Sequence, residues 1–354
     1  MSLNRLQKIR QKLEQHELDA ILVSQNENRH YVSGFTGSAG WLLISPNDAI
    51  LAVDFRYVEQ AKRESPEFET LHIIGDIGNW LLTSIADLNL KIIGFESNDI
   101  TYSTSSRLCE KLSCLNEVKI IATTNFVEAI RAIKEPQELE LIAQAAELAD
   151  GALKHANSLI QPDMTEKQAA WELEKWLREH GSEAMPFEII VASGPNAALP
   201  HAKPSERIIG YEVPVIIDLG ATFKGYSSDL SRTICFGDRN ETFFRVYDIT
   251  LAAQLAALAT IKVGMTGEQA DQVSRIIIEQ ANYGSAFGHG LGHGVGLAAH
   301  ESPTLNPRSS DILSDEMVFT IEPGIYLPGW GGVRIEDTVL LKDGKLEILT
   351  KAAK

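Results

Sequence analysis

The stretch Val213–Gly237, VPVIIDLGATFKGYSSDLSRTICFG, decides how the chain is read. VPVIIDLG (213–220) is a strong strand and GYSSDLSRTICFG (225–237) a second one. Between them, ATFKG supplies turn residues, with Gly225 free to take a positive φ. A hairpin centred between Phe223 and Lys224 sets Asp218 opposite Asp229. Facing residues of an antiparallel pair have Cβ atoms roughly 4.5–5.5 Å apart. Two like charges at that distance are destabilising without a cation between them.

The pattern recurs further on. MVFTIEPG (317–324) and GVRIEDTVLL (332–341) read as strands joined around Pro328-Gly329-Trp330. Glu322 and Glu336 are equidistant from Gly329, so this hairpin also sets two carboxylates across from each other. Pro323 biases Glu322 towards extended backbone, and Arg334, Glu336 and Thr338 share one face by the period of two. Each pair alone has a plainer explanation: Asp218 could cap a turn, and Glu336 could pair with Arg334. Two hairpins with the same arrangement, each acid following an apolar run, weaken it. Four buried carboxylates need metal or protons.

Between the hairpins lies AFGHGLGHGVGLAAHES, with glycines at 288, 290, 292, 294 and 296. It has neither a G-x-G-x-x-G register nor H-E-x-x-H, and so many glycines would hardly sustain a helix. They let the backbone crowd a site into which His289, His293 and His300 project. Four carboxylates with one or two imidazoles make an oxygen-rich site of the size used by paired metals, able to turn a bridging water into hydroxide near neutral pH. Such ligation favours Mn²⁺, Co²⁺ or Fe²⁺ over a structural zinc.

Outward from these motifs, a length of 354 residues favours two domains. Short apolar runs at 20–23, 41–45, 49–54, 71–75 and 91–96 alternate with helical patterns, which suggests an α/β domain over 1–125 that ends near VKIIATTN. From 126 to 354 the pattern differs: a short helix, a kink at Pro136, a long helix to about 160, a helix capped by Thr165 and Gln168, then strands around helices at about 241–261 and 267–282. No internal repeat stands out as repeated letters. No run of eighteen apolar residues argues for a membrane span, and MSLNRLQKIRQKLEQ lacks the apolar core of a signal peptide. Three unpatterned cysteines fit a reducing, cytoplasmic setting. A formal charge of −16 repels phosphate backbones and excludes nucleic acid as the expected partner.

IIDLG, SSDLSRT, GHGLGHGVGL…HE, TIEPGIY and VRIEDT, in that order, resemble the creatinase/aminopeptidase family with the pita-bread fold, specifically its Xaa-Pro peptidases (prolidases and aminopeptidase P). YVSGFTGSAGWLL and AVDFRYVEQA look like that family's N-terminal domain. The resemblance implies an α+β fold: a pita-bread catalytic domain with an antiparallel sheet covered by helices, after a smaller α/β domain. It implies Asp218, Asp229, His293, Glu322 and Glu336 as ligands of two divalent ions, Mn²⁺ or Co²⁺ first and Fe²⁺ or Zn²⁺ as alternatives. Asp229 and Glu336 would bridge them, Asp218 would serve one ion, and His293 with Glu322 the other. Glu322 would also shuttle a proton. His300 and His201 match histidines that contact substrate, and His289 a third histidine further from the ions. Arg308 and Arg334 are candidates for binding substrate. The implied activity is hydrolysis of the Xaa-Pro bond at the N-terminus of proline-containing peptides by a homodimer. Thr304 stands where some prolidases carry an arginine, which favours longer peptides over a strict dipeptidase. Ala299 and Glu316 depart from the family pattern without touching a ligand. Other hydrolases of the fold and a non-catalytic peptide binder are the competing expectations.

Overall fold

The computed structural model describes residues 2–115 and 117–354. Its contacts divide the chain into two compact units, Met1–Arg131 and Ala132–Lys354. The sequence pattern set the change at 125/126. The short helix Glu128–Arg131 moves it, because Arg131 Nη1 donates to Asn28 Oδ1 at 2.6 Å within the first unit.

The first unit is built on a six-stranded sheet in the order Glu69–His72, Ala49–Val53, Trp41–Ile44, Ala20–Val23, Ile92–Glu96, Lys119–Thr123. Two antiparallel pairings in the middle are flanked by parallel ones. The strand expected at 71–75 runs over Glu69–His72 instead. Gly75 turns away with φ 80°, which leaves the apolar Ile74 exposed. Leu22, Leu43, Ile50 and Ile93 of the sheet pack with Leu81, Ile85 and Leu108 of the helices Ile77–Asp87 and Tyr102–Leu112. Burial of such residues stabilises by about 1.5–3 kcal/mol each.

In the second unit every strand pairing is antiparallel among the described residues. Pro136 does not kink a helix. It is the first residue of Pro136–Leu159, where its missing N–H costs nothing, and Glu135 with Glu138 forms a capping box around it. A three-stranded sheet (Leu230–Ile234, Val215–Leu219, Ile190–Ser193) packs against Pro136–Leu159 and Glu166–Glu179 through Ala149, Leu173, Val191 and Ile217. A five-stranded sheet (Glu301–Leu305, Gly292–Gly294, Val318–Ile321, Asp337–Lys342, Lys345–Ile348) packs against Glu241–Thr260 and Gly267–Gln280 through Ala257, Ala270, Phe319 and Val339. Antiparallel sheets covered by helices thus follow a smaller α/β layer.

The two halves of this unit repeat, and the repeat is legible as letters after all: Met164-Thr165-x-x-Gln168-Ala169 and Met265-Thr266-x-x-Gln269-Ala270. Each threonine opens a helix through a capping box with the glutamine. Each also bridges a later segment, Thr165 to Ile208 and Thr266 to Ile312. The next backbone N–H follows suit, Glu166 donating to Arg207 O at 3.0 Å and Gly267 to Asp311 O at 2.8 Å. Duplicated supports of this kind bring one acid-bearing hairpin from each half to a common centre.

Candidate metal centre

The first hairpin differs from its sequence reading by two residues. Tyr226 pairs with Phe223 and Ser231 with Asp218. The turn is therefore the two-residue loop Lys224–Gly225, with φ of 46° and 82°. Two left-handed residues give the primed turn whose twist matches a hairpin. A lysine at the first position carries no signal for it, which is why the centre was misplaced by one residue. A shift of two in pairing preserves the face, and Asp218 and Asp229 still line one cavity.

The second hairpin keeps the expected register. Ile321 pairs with Asp337 and Gly324 with Arg334, so counting inward sets Glu322 opposite Glu336. The ladder opens there. Glu322 N–H donates to Leu291 O at 2.8 Å and Glu336 N–H to Ser231 O at 3.1 Å. The paired strands thus leave the five-stranded sheet and continue as the separate ribbon Gly324–Leu327/Gly331–Arg334, with the two carboxylates at the seam.

His293 comes from the glycine-rich segment. A Cβ at Gly292 would lie 2.1 Å from Thr320 O, so only glycine lets this strand approach Val318–Ile321. His293 Nδ1 is 3.1 Å from Gly294 O, leaving Nε2 turned to the acids: 3.3 Å from Glu322 Oε1 and 3.5 Å from Asp229 Oδ2. Thr320 Oγ1 donates to Glu322 Oε1 at 3.0 Å and accepts the His293 N–H at 3.1 Å, which orients both. Thr338 Oγ1 donates to Asp229 O at 2.7 Å.

Burial raises the carboxyls of Asp218, Asp229 and Glu336, the last two well above their usual range, with neighbouring acids adding to it. Burial also opposes charge on Glu322 and His293, but their mutual hydrogen bond and attraction win. Glu322 is held down at about 2 and His293 up at about 9. Asp218 Oδ1 is buried with no partner, a state that costs about 1–3 kcal/mol, and more for a charged group. Asp229, His293 and Glu336 each offer a ligand atom within 4.8 Å of the others. An unpartnered carboxylate oxygen, three acids burdened by burial and an inward imidazole nitrogen fit divalent cations. A cation bound by Nε2 would displace the His293 proton.

Stability should follow from this. Above the ordinary carboxylate range, the folded metal-free chain holds protons on Asp218, Asp229 and Glu336 that the unfolded chain has released, so its stability falls as pH rises. His293 acts in the same sense: its stabilisation is complete below its ordinary value near 6.5 and is lost as pH rises through about 9. Glu322 contributes in the opposite sense, but only as pH falls through about 2. The Tm of chelator-treated protein is therefore expected to fall between about pH 5 and about 9, and added Mn²⁺ to remove most of that fall. Thermal unfolding across that range checks it, and a flat metal-free profile would count against the buried-acid reading.

Arg334 has a different place from the one expected of a substrate-binding group. Its Nη2 binds Asp218 Oδ2, Nε donates to Ser231 Oγ at 2.8 Å, and Nη1 to Tyr326 OH at 2.9 Å and Pro200 O at 3.1 Å. It lines the cavity, but four of its five N–H donors are taken up by the protein, one of them by Asp218. Tyr326, which sequence reasoning missed, continues the chain to His289 Nε2 at 2.9 Å. Its phenol is pushed up to about 12 by burial, while burial lowers His289, so both are neutral near pH 7. The Tyr of GIY, three residues beyond Pro323, was the available signal. Asp337, next to Glu336, is locked by Arg232 Nη2 and Gln254 Nε2, each at 2.7 Å.

His300 is exposed, with its ring centroid 4.1 Å from that of His293. Partial desolvation of this side chain, and then the nearby His293 charge, lower its pKa. His201 is exposed and lines the same cavity. Its loop is tied down by the fully buried Glu166, which accepts from Ser193 N at 2.7 Å, Asn196 Nδ2 at 3.0 Å and Ser205 N at 3.0 Å. Arg308 is not brought in. It is exposed and absent from the cavity lining, where Thr304 and Asn306 stand instead. The cavity, about 480 Å³, also presents Phe187, Ile190 and the exposed pair Lys203–Glu188 at 3.2 Å.

Residues 140–343 match the model of metallopeptidase family M24, and residues 5–133 that of the creatinase/prolidase N-terminal domain. The chain is 36% identical over 352 residues to the Xaa-Pro dipeptidase of Pyrococcus furiosus, covering 98% of this chain and 97% of that one. Its structure is similar to that of an Xaa-Pro dipeptidase from Bacillus anthracis, with TM-score 0.96 and 39% identity over 100% and 99% of the two chains. It is also similar to an X-Pro aminopeptidase from Thermotoga maritima, with TM-score 0.87 and 37% identity over 97% and 98%. Among the described residues, no helix is long and apolar enough to cross a membrane.

Proposed function

The chain belongs to metallopeptidase family M24 and carries a creatinase/prolidase N-terminal domain, and from that premise we propose that it cleaves the Xaa-Pro bond at the N-terminus of peptides with two divalent ions. The observation that carries this reading is the cluster of buried Asp229 and Glu336 with half-buried Asp218, His293 and Glu322, open to a peptide-sized cavity that three further histidines line. Asp229 and Glu336, one from each hairpin, would be shared by the two ions, with Asp218 completing the ligands of one and His293 with Glu322 those of the other. Bound there, the ions, Mn²⁺ or Co²⁺ by the oxygen-rich donor set, would acidify a water and polarise the scissile carbonyl.

The chain's own groups supply the rest. Glu322 is ionised near neutral pH and next to the reacting region, so it accepts the water's proton and returns it to the departing proline nitrogen. That nitrogen lacks an N–H in the peptide and leaves poorly unless protonated. His300, kept neutral by its surroundings, donates towards the oxyanion that develops on the carbonyl. His201 lines the same cavity. Phe187 and Ile190 offer apolar surface to the pyrrolidine ring. A homodimer working in the cytoplasm completes the reading.

Substrate length divides this reading from its alternative, a strict Xaa-Pro dipeptidase, the activity for which two of the similar proteins are named. A strict dipeptidase needs a fixed partner for the proline carboxylate, for which arginine is suited. Arg334 is bonded to Asp218, and Arg308 does not line the cavity. Cleavage of Ala-Pro-Ala at least as efficient as that of Ala-Pro is therefore expected. Arg308→Ala should change kcat/KM for either by no more than about twofold, as for an ordinary surface position. Activity confined to Ala-Pro and lost selectively in that variant would favour the strict dipeptidase.

A further inference from the structure

We propose that the buried ion pair between Lys134 and Glu301 positions His300 for its part in hydrolysis; the inference rests on the role given to His300 above. Lys134 precedes the long helix Pro136–Leu159 and is remote in sequence from every ligand. Its Nζ is 2.8 Å from Glu301 Oε1, and the two side chains are 1% and 6% exposed. Nζ also donates to Ala132 O at 3.3 Å, and the Lys134 N–H to Glu316 O at 2.8 Å, so the ammonium is held from its own backbone outward.

Glu301 directly follows His300 and uses its second oxygen to close the loop that carries it. Oε2 accepts the Ala298 N–H at 3.3 Å. Two residues back, Gly296 N–H donates to Ala298 O at 3.0 Å, and Gly296 O accepts the Ser227 N–H at 2.7 Å. Segment 296–301 is thus a tight loop stapled at its far end by the carboxylate of Glu301, which Lys134 fixes in turn. His300 itself is exposed, so its direction depends on that loop and on its contact with the His293 ring, 4.1 Å between centroids. A complete buried ion pair gives little stability beyond what a well-packed apolar pair would give. What it supplies here is a directional clamp on the residue before it. Lys134 and Glu301 are positioning residues: neither lines the cavity.

The test uses the full-length holoenzyme and the variant Lys134→Met/Glu301→Gln, which removes both charges together and so avoids stranding one. Expected are Mn²⁺ binding as in wild type and KM for Ala-Pro within about twofold. The kcat should fall about 10²-fold, as for a displaced reacting group. Adding His300→Ala to this background should lower kcat by less than about threefold more, because the two changes act through one group. Should the double variant not fold, Glu301→Gln alone, which keeps an acceptor for Ala298, is read by the same measures. A folded variant with wild-type kcat, or a His300→Ala loss as large in the variant as in wild type, overturns the proposal. The metal-free protein gives a readout independent of activity. The His300 ring signals in a ¹H–¹⁵N spectrum, identified by their loss in His300→Ala, should move in the variant while those of His155 and His180 stay. If wild type hydrolyses no Xaa-Pro peptide, the functional reading fails, and the spectrum alone then decides the positioning: unmoved His300 signals would end it.

Discussion

Asp229→Asn and Glu336→Gln are each expected to abolish measurable turnover and to weaken metal binding at both positions of the centre. Each acid enters from a different hairpin and is buried, Glu336 at the seam where the second hairpin leaves its sheet. Burial first, and the other acids next, raise both carboxyls well above the usual range. An amide keeps the shape and one acceptor but removes the charge that compensates a cation. Loss of a supporting group beyond the ligands already costs about 10–100-fold in affinity, so loss of a shared ligand should cost more. Asp218→Asn, by contrast, should weaken mainly one ion, since Asp218 shares its second oxygen with Arg334 rather than with the centre. Calorimetric titration of Mn²⁺ into each variant separates the two outcomes. Two-site binding unchanged in Asp229→Asn would remove that residue from the bridge.

His300→Ala should behave in the opposite way, keeping its metals and losing about 10²–10³ in kcat, the size of effect seen when one donor to a developing oxyanion is removed. Its ring lies beside His293, yet it is exposed where the ligands are enclosed. The KM for Ala-Pro should change little, because the interaction strengthens only as negative charge builds on the carbonyl oxygen. Metal content measured beside kcat decides between the roles: a variant that loses its ions would make His300 a ligand.

How far the sequence carried these conclusions differs from residue to residue. The second hairpin was legible because Pro323 and the glycines around the turn fixed its centre, and its register follows from counting alone. The first was not, because its turn puts Lys224 in a left-handed conformation that favours glycine or asparagine, and no letter announces it. The error cost little, since a slip of two residues leaves every side chain on its own face. Arg334 was found but given the wrong partner: a face can be read from a period of two, but not the acid on another strand that the guanidinium reaches. Tyr326 was missed for the same reason. Its value lies in touching both Arg334 and His289, two contacts that arise only once the ribbon folds beneath the centre. Glu316 stands at a turn where glycine is common in the family, and with φ 65° it pays the strain that glycine would avoid. Arg308 was placed by analogy of position within a loop, and a loop's direction is what a sequence specifies least.

On the proposed reading, two hairpins and one histidine hold a pair of metal ions. The most direct measurement is the number of divalent ions bound per chain, by elemental analysis after Mn²⁺ loading and gel filtration, with electron paramagnetic resonance on the same sample. Two Mn²⁺ per chain, with the spectrum of a magnetically coupled pair that is lost in Glu336→Gln, are expected. One ion or none per chain, or two uncoupled ions that the variant retains, would contradict it.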